Sequence, residues 1–367
     1  MYNIVLNSDE NYIKYASVLI TNIIYKIDKT NALYENAPIN FHILSKDLSD
    51  ECKGKLRDLS KNLSEVYPCE ICLYSVDESV FENLPTLNGN YAAYARILSA
   101  STLPQSIKTC LYLDVDMFVL CDIREIFTLE FKTPLAAIPD FGRYANRILK
   151  AKNPKFKDIV LNKNYFNSGF LLLDLQALRE QNVESKFIEI LQNYHLRFHD
   201  QDILNAVFIN NYTKLSFAYN FITPAFSASV CKDEHRHFNI HHTRSEFNKI
   251  QNSPKILHFT SAKPWILLTS YIYKGQFIST LWWEVAEKVE AFNKELQAQK
   301  QGLKEDFLPF CVGFEVLNAS IFKLPFCVKT ANNRGGGHFA ESYLKYSVFS
   351  RAISIKIKRQ KLFRAVS

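Results

Sequence analysis

Short apolar runs alternate with longer segments of helical periodicity over the first part of the chain. Each apolar run is long enough for a buried strand, and each longer segment repeats its apolar positions every three or four residues. The runs are 2–6, 41–44 and 71–74, and the helical segments are 12–27 and 48–63. Strands that alternate with helices predict an α/β fold, a parallel sheet with helices on both faces.

Further strands are predicted where polar residues interrupt apolar ones. Thr109 to Leu113 ends at Asp114-Val115-Asp116, and Leu135 to Ile138 ends at Pro139-Asp140. Polar residues thus collect at the carboxyl ends of strands, where open α/β sheets bind ligands. The apolar run 170–173 has its polar neighbours, Asn167 and Ser168, at the opposite end. If they face the same crevice, this strand runs antiparallel and the sheet is mixed.

The pattern changes beyond Trp265. Residues 277–292 have the period of an amphipathic helix, 297–304 form a polar connection, and Gly335 to Gly337 predict a loop. We therefore expect a catalytic α/β domain at 1–270 and a smaller, mainly helical, basic region at 271–367.

Composition supports a globular protein. The 367 residues are 47% hydrophobic and 22% charged, which suits a large core. The amino terminus lacks a basic leader and reaches acids by Asp9, so we expect a cytoplasmic protein. The eight cysteines fit reduced thiols. Cys69 and Cys72 form a lone C-x-x-C, for which ordinary half-buried thiols are favoured over a zinc site.

The net charge of +7 is concentrated at the carboxyl terminus. After Glu341 there is no acid, and the basic residues are Lys345, Arg351, Lys356, Lys358, Arg359, Lys361 and Arg364. Such a tail is attracted to an anionic leaflet, which predicts a peripheral protein on the cytoplasmic face of the inner membrane. A solvated basic terminus is the alternative, and Ile353, Ile355 and Ile357 alternate as in a strand. Nucleic acid is not an expected partner, because the body offers no basic stripe.

The segment LYLDVDMFVL, residues 111–120, places two carboxylates within apolar surroundings. Alternate residues at the end of a strand can turn toward one cation, and a divalent metal there can hold a diphosphate. The alternative is a surface turn with two solvated acids. A second D-x-D, Asp200-Gln201-Asp202, has a helix N-cap as its structural alternative.

Two groups of histidines are candidates for metal binding. The first group fits neither the H-E-x-x-H spacing nor a zinc-finger pattern and lies among charged residues, which favours an exposed loop; its members are His235, His237, His241 and His242. His258 follows an apolar pair and precedes a polar turn with Lys263, which makes it a candidate third ligand for the acid pair, against a core histidine as the alternative.

Four segments together resemble glycosyltransferase family 8, especially its bacterial lipopolysaccharide and lipooligosaccharide hexosyltransferases. They are LYLDVDMFVL, YFNSGFLLLDL, FHDQDILNAVF and ILHFTSAKPW, and NIVLNSDENY and AYARILSASTLP are also similar. The resemblance runs from residue 3 to about 265. It implies a GT-A fold, which is Rossmann-like with a mixed, mostly parallel sheet, together with a UDP-hexose donor, Mn²⁺ (or Mg²⁺) and transfer with retention of configuration.

The resemblance also implies site residues. Those implied for the metal are Asp114, Asp116 and His258. Those implied for the nucleotide and donor are Asn7, Asp9, Asn11, Arg96, Asn167, Ser168 and Lys263, the last on the diphosphate. Those implied as catalytic are Gln201, Asp200 and Asp140, around the donor sugar. Between His258 and Lys263 this chain has one residue fewer than the family pattern H-x-x-G-x-x-K-P-W.

The expected function is a retaining hexosyltransferase that acts on a lipid-linked saccharide. An amide is a poor nucleophile, so Gln201 is expected to stabilise positive charge while the acceptor attacks from the face of the leaving group. Two alternatives use the same residues: a metal-dependent phosphate-ester hydrolase, and a non-catalytic protein that binds saccharide or membrane.

Overall fold

The computed structural model describes residues 1–81, 91–140, 147–223, 242–260, 263–266, 272–274, 276–303, 343–348 and 351–356. The strands are β1 (Tyr2–Asn7), β2 (Ile39–Ser45), β3 (Cys69–Ser75), β4 (Thr109–Leu113), β5 (Met117–Val119), β6 (Leu135–Pro139), β7 (Arg147–Leu149), β8 (Ile159–Leu161), β9 (Phe166–Asp174), β10 (Thr213–Lys214), β11 (Phe221–Ile222), β12 (Ile256–His258), β13 (Ile272–Tyr273), β14 (Gln276–Phe277), β15 (Tyr343–Val348) and β16 (Arg351–Lys356). The helices are α1 (Ile13–Tyr25), α2 (Asp50–Val66), α3 (Ser99–Thr102), α4 (Leu175–Glu180), α5 (Val183–Asn193), α6 (His199–Phe208), α7 (Arg244–Ile250), α8 (Ile278–Ala286) and α9 (Asn293–Gly302).

A seven-stranded mixed sheet, in the order β10-β6-β9-β4-β1-β2-β3, forms the centre of the fold. Strands β4, β1, β2 and β3 run parallel to one another, whereas β9 is antiparallel to both β4 and β6. The predicted antiparallel strand is therefore confirmed. Its amino end, at Phe166, lies at the same edge as the carboxyl ends of β1, β4 and β6.

Alternation along the strands divides the core into two layers. Ile4 and Leu6 on β1 pack on one face of the sheet with α1 and α2, while Val5 packs on the other face with α4, α5 and α6. Successive residues of a strand point to opposite faces, so a strand that is covered on both sides must be apolar throughout. This accounts for the uninterrupted apolar runs and confirms helices on both faces.

The helices predicted in the first two hundred residues are found close to their expected bounds. The segment 48–63 overlaps most of α2, which extends to Val66. The helix begins after Ser49, whose hydroxyl accepts a hydrogen bond from the peptide N–H of Cys52 at 3.2 Å. Such an N-cap satisfies a backbone donor that the helix itself leaves open.

Two predictions beyond Trp265 are wrong in detail. The helix predicted over 277–292 ends at Ala286 and is followed by a short 3-10 turn, and the polar connection predicted at 297–304 lies largely within α9. Only Leu296 of α9 is buried, so the helix has little apolar periodicity to reveal it. Tertiary contacts stabilise it instead: Gln299 Nε2 donates to the carbonyl of Trp265 at 2.8 Å, and Gln299 Oε1 lies 3.3 Å from the hydroxyl of Tyr15.

Aromatic stacking joins α8 to the sheet domain. The Tyr15 and Trp265 rings stack with centroids 4.2 Å apart, and Trp282 packs on Trp265 at 5.0 Å. The residues that follow the sheet domain along the chain are thus packed directly on α1.

The tail contains one described pair of strands. β15 and β16 pair antiparallel, with Tyr343 opposite Lys356, and the strand-like alternation at Ile353 and Ile355 is confirmed. The predicted loop at 335–337 and the basic residues from 358 onward lie outside the described residues. Among the helices that the structure describes, none has the length and apolar character needed to traverse a bilayer.

Candidate active site

The chain passes between two sheets at Asp114 to Asp116. The peptide N–H of Asp114 donates to the carbonyl of Gly169 at 2.8 Å, next to the paired strands β4 and β9. The carbonyl of Asp116 accepts from the N–H of Phe259 at 2.8 Å, next to β5 and β12 of a three-stranded sheet in the order β11-β12-β5. The backbone on each side of Val115 is therefore fixed by a different sheet.

His258 completes a group of three possible metal ligands. It ends β12, opposite Met117 of β5, and its Nε2 lies 3.2 Å from Asp116 Oδ1 and 3.7 Å from Asp114 Oδ2. One possible ligand atom from each of these three residues lies within 4.8 Å of the others. The structure thus brings together the three residues that the sequence suggested for a metal.

The missing side chain of Gly169 leaves room for His258 and Asp114. A Cβ atom on Gly169 would lie 2.5 Å from His258 Cε1 and 2.7 Å from Asp114 Oδ2. Both distances are far below van der Waals contact, so any other residue here would displace a ligand. Two carboxylates and one imidazole that lie this close together fit a divalent cation.

Lys263 lies against the same acids. Its ammonium group pairs closely with Asp116 Oδ2. Burial opposes ionisation of Asp116, but His258 and Lys263 outweigh that effect and hold the pKa of Asp116 well below its usual value. Burial also opposes the charged form of Lys263, which acts to lower its pKa. The attraction of Asp116 is stronger, so the pKa of Lys263 is raised above its usual value. The structure places Lys263 beside the metal ligands rather than away from them.

Arg96 lies under the site as a buried cation. Its guanidinium contacts Asp114 Oδ1 at 2.8 Å and Asp200 Oδ2 at 3.2 Å, and donates to the carbonyl of Ser168 at 2.9 Å. It also lies over the Tyr112 ring, 4.5 Å from the centroid. Burial acts to lower the pKa of Arg96, but Asp114 and Asp200 raise it above the usual value. Arg96 therefore holds the two acids in fixed relative positions.

The pKa of Asp200 shifts in the opposite direction to that of Asp116. Burial raises it above the usual value, and the attraction of Arg96 offsets this only in part, while the neighbouring charge of Asp114 adds to the rise.

Gln201 connects three of the residues expected around the donor sugar. Its Oε1 accepts from the peptide N–H of Ser168 at 3.0 Å and from Asn167 Nδ2 at 3.1 Å. Its Nε2 donates to Asp140 Oδ2 at 3.2 Å. The fold therefore brings together the end of β6, the start of β9 and the first turn of α6.

Asp202 has a structural role, although it belongs to the same short motif as Asp200. Its carboxylate accepts from the peptide N–H groups of Arg197 and Phe198, at 2.8 and 2.9 Å, and from the hydroxyl of Tyr165 at 2.7 Å. The predicted N-cap position is wrong, because Phe198 is the residue that precedes α6 and both acids lie inside the helix. Asp202 reaches back to the backbone before the helix, whereas Asp200 faces Arg96.

The residues expected near the nucleotide lie at the amino-terminal side of this edge. Asn7 ends β1, next to β4 in the sheet, and is buried. Asp9 Oδ1 accepts from the N–H of Tyr12 at 2.9 Å, at the start of α1, and Asn11 is exposed. The structure brings Asn7 to the edge that carries Asp114, whereas the described contact of Asp9 is to its own turn.

Sequence analysis missed Asn220. Its Oδ1 lies 2.8 Å from His258 Nδ1, and its Nδ2 donates to Asn167 Oδ1 at 2.8 Å. Asn220 is 1% exposed. A single amide within the apolar run 217–222 is a signal that was available, because a buried polar group needs hydrogen-bond partners.

Two other candidates have different outcomes. The exposed position predicted for His242 is wrong, because its side chain is buried. Its Nε2 lies 2.7 Å from the carbonyl oxygen of Pro139, and its ring packs against Phe217. His235, His237 and His241 lie outside the described residues. Cys69 and Cys72 are half-buried free thiols, and burial raises the pKa of Cys69 to about 11.

Comparison with known proteins shows similarity to glycosyltransferases in both sequence and fold. The family model described as Glycosyl transferase family 8 matches residues 3–268. A protein of Haemophilus influenzae that carries a provisional glycosyltransferase name is 31% identical over 222 residues, which are 57% of this chain and 62% of that protein. The match thus spans less than two thirds of that relative. The lipopolysaccharide 1,2-glucosyltransferase of Escherichia coli is 28% identical over 270 residues, 72% of this chain and 73% of that enzyme.

Solved structures show the same fold. The crystal structure of the galactosyltransferase LgtC in complex with donor and acceptor sugar analogues has a TM-score of 0.59 and 20% sequence identity, and the alignment covers 81% of this chain and 99% of that chain. The expected GT-A fold, with its mixed α/β sheet, is confirmed.

Proposed function

The chain belongs to glycosyl transferase family 8, and from that premise we propose that it transfers galactose or glucose from a UDP-sugar to a lipopolysaccharide or lipooligosaccharide acceptor with retention of configuration. The observation that carries the proposal is the meeting of Asp114, Asp116 and His258 at the sheet edge that also holds Gln201. A glucosyltransferase and a galactosyltransferase among the similar proteins support a hexose as the transferred group.

Asp114, Asp116 and His258 are the residues that would hold Mn²⁺ or Mg²⁺. When bound, such an ion stabilises the negative charge that develops on a departing diphosphate. Lys263, beside Asp116, supplies a further positive charge at the same place. Arg96 keeps Asp114 directed at the site, because its guanidinium contacts that carboxylate from the buried side.

In this proposal the donor binds along the rest of the sheet edge at the carboxyl ends of β1, β4 and β6. Asn7, Asp9 and Asn11 bind uracil and ribose in this proposal, and the sugar lies near Asp140, Asn167, Ser168 and Asp200, with Arg96 beneath. These assignments follow the family resemblance, and the common position of the carboxyl ends of β1, β4 and β6 supports them.

Gln201 stabilises positive charge at the anomeric carbon in this proposal, without a covalent bond. Its Oε1 already accepts two hydrogen bonds, from Ser168 and Asn167, which makes an amide oxygen less nucleophilic still. The acceptor then attacks from the face that the diphosphate leaves, and a diphosphate oxygen takes its proton.

The donor and reaction type can be tested together. The protein is incubated with Mn²⁺ and a panel of UDP-hexoses, and UDP release is measured with and without truncated lipooligosaccharide. We expect one hexose to support release that depends strongly on the acceptor, and NMR of the product to show the donor's anomeric configuration. Equal release without acceptor would favour the phosphate-ester hydrolase instead.

The basic tail is proposed to hold the protein at the cytoplasmic face of the inner membrane. Seven basic residues without an acid after Glu341 support this location, since each contributes about 1 kcal/mol near an anionic surface. A chain that ends at Glu341 should keep activity on soluble acceptors and lose sedimentation with phosphatidylglycerol vesicles. Equal sedimentation of the two chains would reject the anchoring role.

A further inference from the structure

We propose that Asn220 is a positioning residue that fixes the orientation of the His258 ring and links the metal ligands to the donor-sugar residues through Asn167 and Gln201. The inference rests on the proposed function, because it assigns a role within the same site. It adds a residue that neither touches the donor nor ligates the metal. Asn220 ends the 3-10 turn Phe217–Asn220, immediately before β11.

The hydrogen-bonded side chains from Asp140 to His258 form a network, and two peptide N–H groups determine the direction of each bond in it. The N–H of Ser168 donates to Gln201, so the atom that receives it is Oε1 and the Gln201 amino group faces Asp140. The N–H of Gly169 donates to Asn167 at 3.0 Å, so that atom is Oδ1. A peptide N–H can only donate, and an amide oxygen can only accept, which leaves one assignment for each side chain.

The same logic continues to the imidazole. Asn167 Oδ1 receives a hydrogen bond from Asn220 at 2.8 Å, so the group of Asn220 that faces it is the amino group, and Asn220 Oδ1 faces His258. Because that oxygen only accepts, His258 Nδ1 carries the hydrogen. In the neutral imidazole that binds a metal, Nε2 is then the nitrogen with the lone pair, and it is the nitrogen that faces Asp114 and Asp116.

The backbone keeps this arrangement rigid. Ile222 lies opposite His258 in the parallel pair of β11 and β12, and the N–H of Thr223 donates to the carbonyl of His258 at 2.9 Å. Asn220 immediately precedes β11 and His258 ends β12, so the pairing of these two strands sets their spacing independently of the side chains. Their hydrogen bond sets the angle of the ring and not the position of the backbone.

The chain of amides also gives the two halves of the site a physical connection. Asp140 accepts from Gln201, Gln201 accepts from Asn167, Asn167 accepts from Asn220, and Asn220 accepts from His258. A sugar that turns Asn167 or Gln201 must therefore alter the partner of Asn220. By linkage, any effect of metal on donor binding through this chain is matched by an equal effect of donor on metal binding.

Two substitutions of Asn220 separate its two hydrogen bonds. Asn220→Ala removes both, and Mn²⁺ affinity should fall about 10- to 100-fold, as for other residues that orient a metal ligand. Asn220→Asp keeps an oxygen for His258 Nδ1 but places a second acceptor against Asn167 Oδ1. We expect it to bind Mn²⁺ nearly as the wild type does, and to lose much of the difference in affinity between UDP-hexose and UDP.

The control is Asn22→Ala. Asn22 is also fully buried, and its side chain makes two hydrogen bonds, both to the backbone of Val119. It should lower thermal stability as Asn220→Ala does, with Mn²⁺ affinity unchanged. Mn²⁺ affinity is measured by electron paramagnetic resonance of the free ion, nucleotide affinities by calorimetry in saturating Mn²⁺, and stability by circular dichroism.

The outcomes distinguish this inference from the proposed function. Wild-type protein that binds neither Mn²⁺ nor UDP would overturn the proposed function, and this inference with it. Wild-type binding together with unchanged Mn²⁺ affinity in Asn220→Ala would overturn the inference alone. Should Asn220→Ala fail to fold, Asn220→Asp decides: a folded variant whose Mn²⁺ affinity falls about 10-fold or more contradicts the role of the oxygen as the partner of His258.

Discussion

The two D-x-D motifs of this chain look alike in sequence and have different roles in the structure. Asp114 and Asp116 follow a strand, and their carboxylates converge on His258, with 23% and 13% of the side chains exposed. Asp200 and Asp202 lie in the first turn of α6, where their side chains are 8% and 0% exposed and have separate partners.

Backbone geometry explains the difference. Asp114 directly follows β4 and Asp116 directly precedes β5, in a turn where the N–H of Met117 donates to the carbonyl of Asp114 at 3.2 Å, and both carboxylates face His258. Residues two apart in a helix are rotated by about 200° and face opposite sides. Asp200 therefore turns toward Arg96 and the site, while Asp202 turns toward Tyr165 and the loop before the helix. The two carboxylates of the motif converge where it links two strands through a turn, and they diverge where it lies in a helix.

The largest expected effect concerns the buried member of the second motif. Asp202→Ala leaves the hydroxyl of Tyr165, two peptide N–H groups and Arg147 without their carboxylate, so the free energy of unfolding should fall by about 3–5 kcal/mol. Urea unfolding measures this. Asp158→Ala, in the exposed pair with Lys150, is the matched control and should change little. Loss of Mn²⁺ affinity by folded Asp202→Ala would remove the contrast between the motifs.

The next effect concerns the first motif. Asp116→Ala should reduce Mn²⁺ affinity by more than about 100-fold, because residues that only orient a metal ligand already contribute about 10- to 100-fold. Mn²⁺-dependent binding of UDP should be lost as well. Calorimetry with UDP, in the presence and absence of Mn²⁺, tests this. Unchanged Mn²⁺-dependent binding would favour the non-catalytic alternative.

Gly169→Ala should have a smaller effect at the same place. The added Cβ displaces the His258 ring or Asp114, and overpacking of this kind costs about 1–3 kcal/mol. We expect weaker Mn²⁺ binding in a folded protein. Gly54→Ala is the control: its Cβ would meet only Arg57 Nη2, at 3.7 Å, and within α2 it should increase stability by about 0.5–1 kcal/mol. Equal Mn²⁺ affinity in both variants would show that the space at Gly169 is not used by the site.

The smallest expected effect is an opposite dependence of stability on pH. The pKa of Asp116 is lowered on folding, so its stabilising contribution is present above 3.8 and is lost as the pH falls through the lower folded pKa. The pKa of Asp200 is raised on folding, so its ionisation costs stability above the folded pKa, and this cost disappears as the pH falls below 3.8.

The two asparagine variants separate these contributions. Urea midpoints of the wild type, Asp116→Asn and Asp200→Asn are compared between about pH 2 and pH 6 without metal, a range that extends to both sides of the ordinary pKa of an aspartate. As the pH falls, the wild type should lose its advantage over Asp116→Asn and improve relative to Asp200→Asn. Parallel curves for the two variants would mean that the two motifs do not differ in electrostatics.

The sequence was most informative where one local pattern decided the structure. The strand at Thr109–Leu113, the antiparallel strand that contains residues 170–173, and the helix that follows Ser49 were all predicted from periodicity and end signals. Helix α9 was not, because its one buried apolar residue, Leu296, leaves no periodic stripe, and contacts with Trp265 stabilise it.

For the site, residue types indicated chemistry but not geometry. Asp114 and Asp116 were identified by their apolar surroundings, and His258 by its place at the end of a strand. Asn220 was missed, because one asparagine in an apolar run carries no sign of its partner, which lies 38 residues away. The role of Gly169 was also invisible, since the need for space there comes from neighbours on two other segments.

By itself, the sequence determined which segments are strands and helices, which faces they bury, and where acids end a strand, because these follow from interactions between residues close along the chain. Only the tertiary structure decided which of the two D-x-D motifs converges on an imidazole and which supports a helix. It also decided that His258, Asn220 and Gly169 would meet beside the first motif. Those contacts depend on how separate sheets pack, and no short stretch of sequence contains that information.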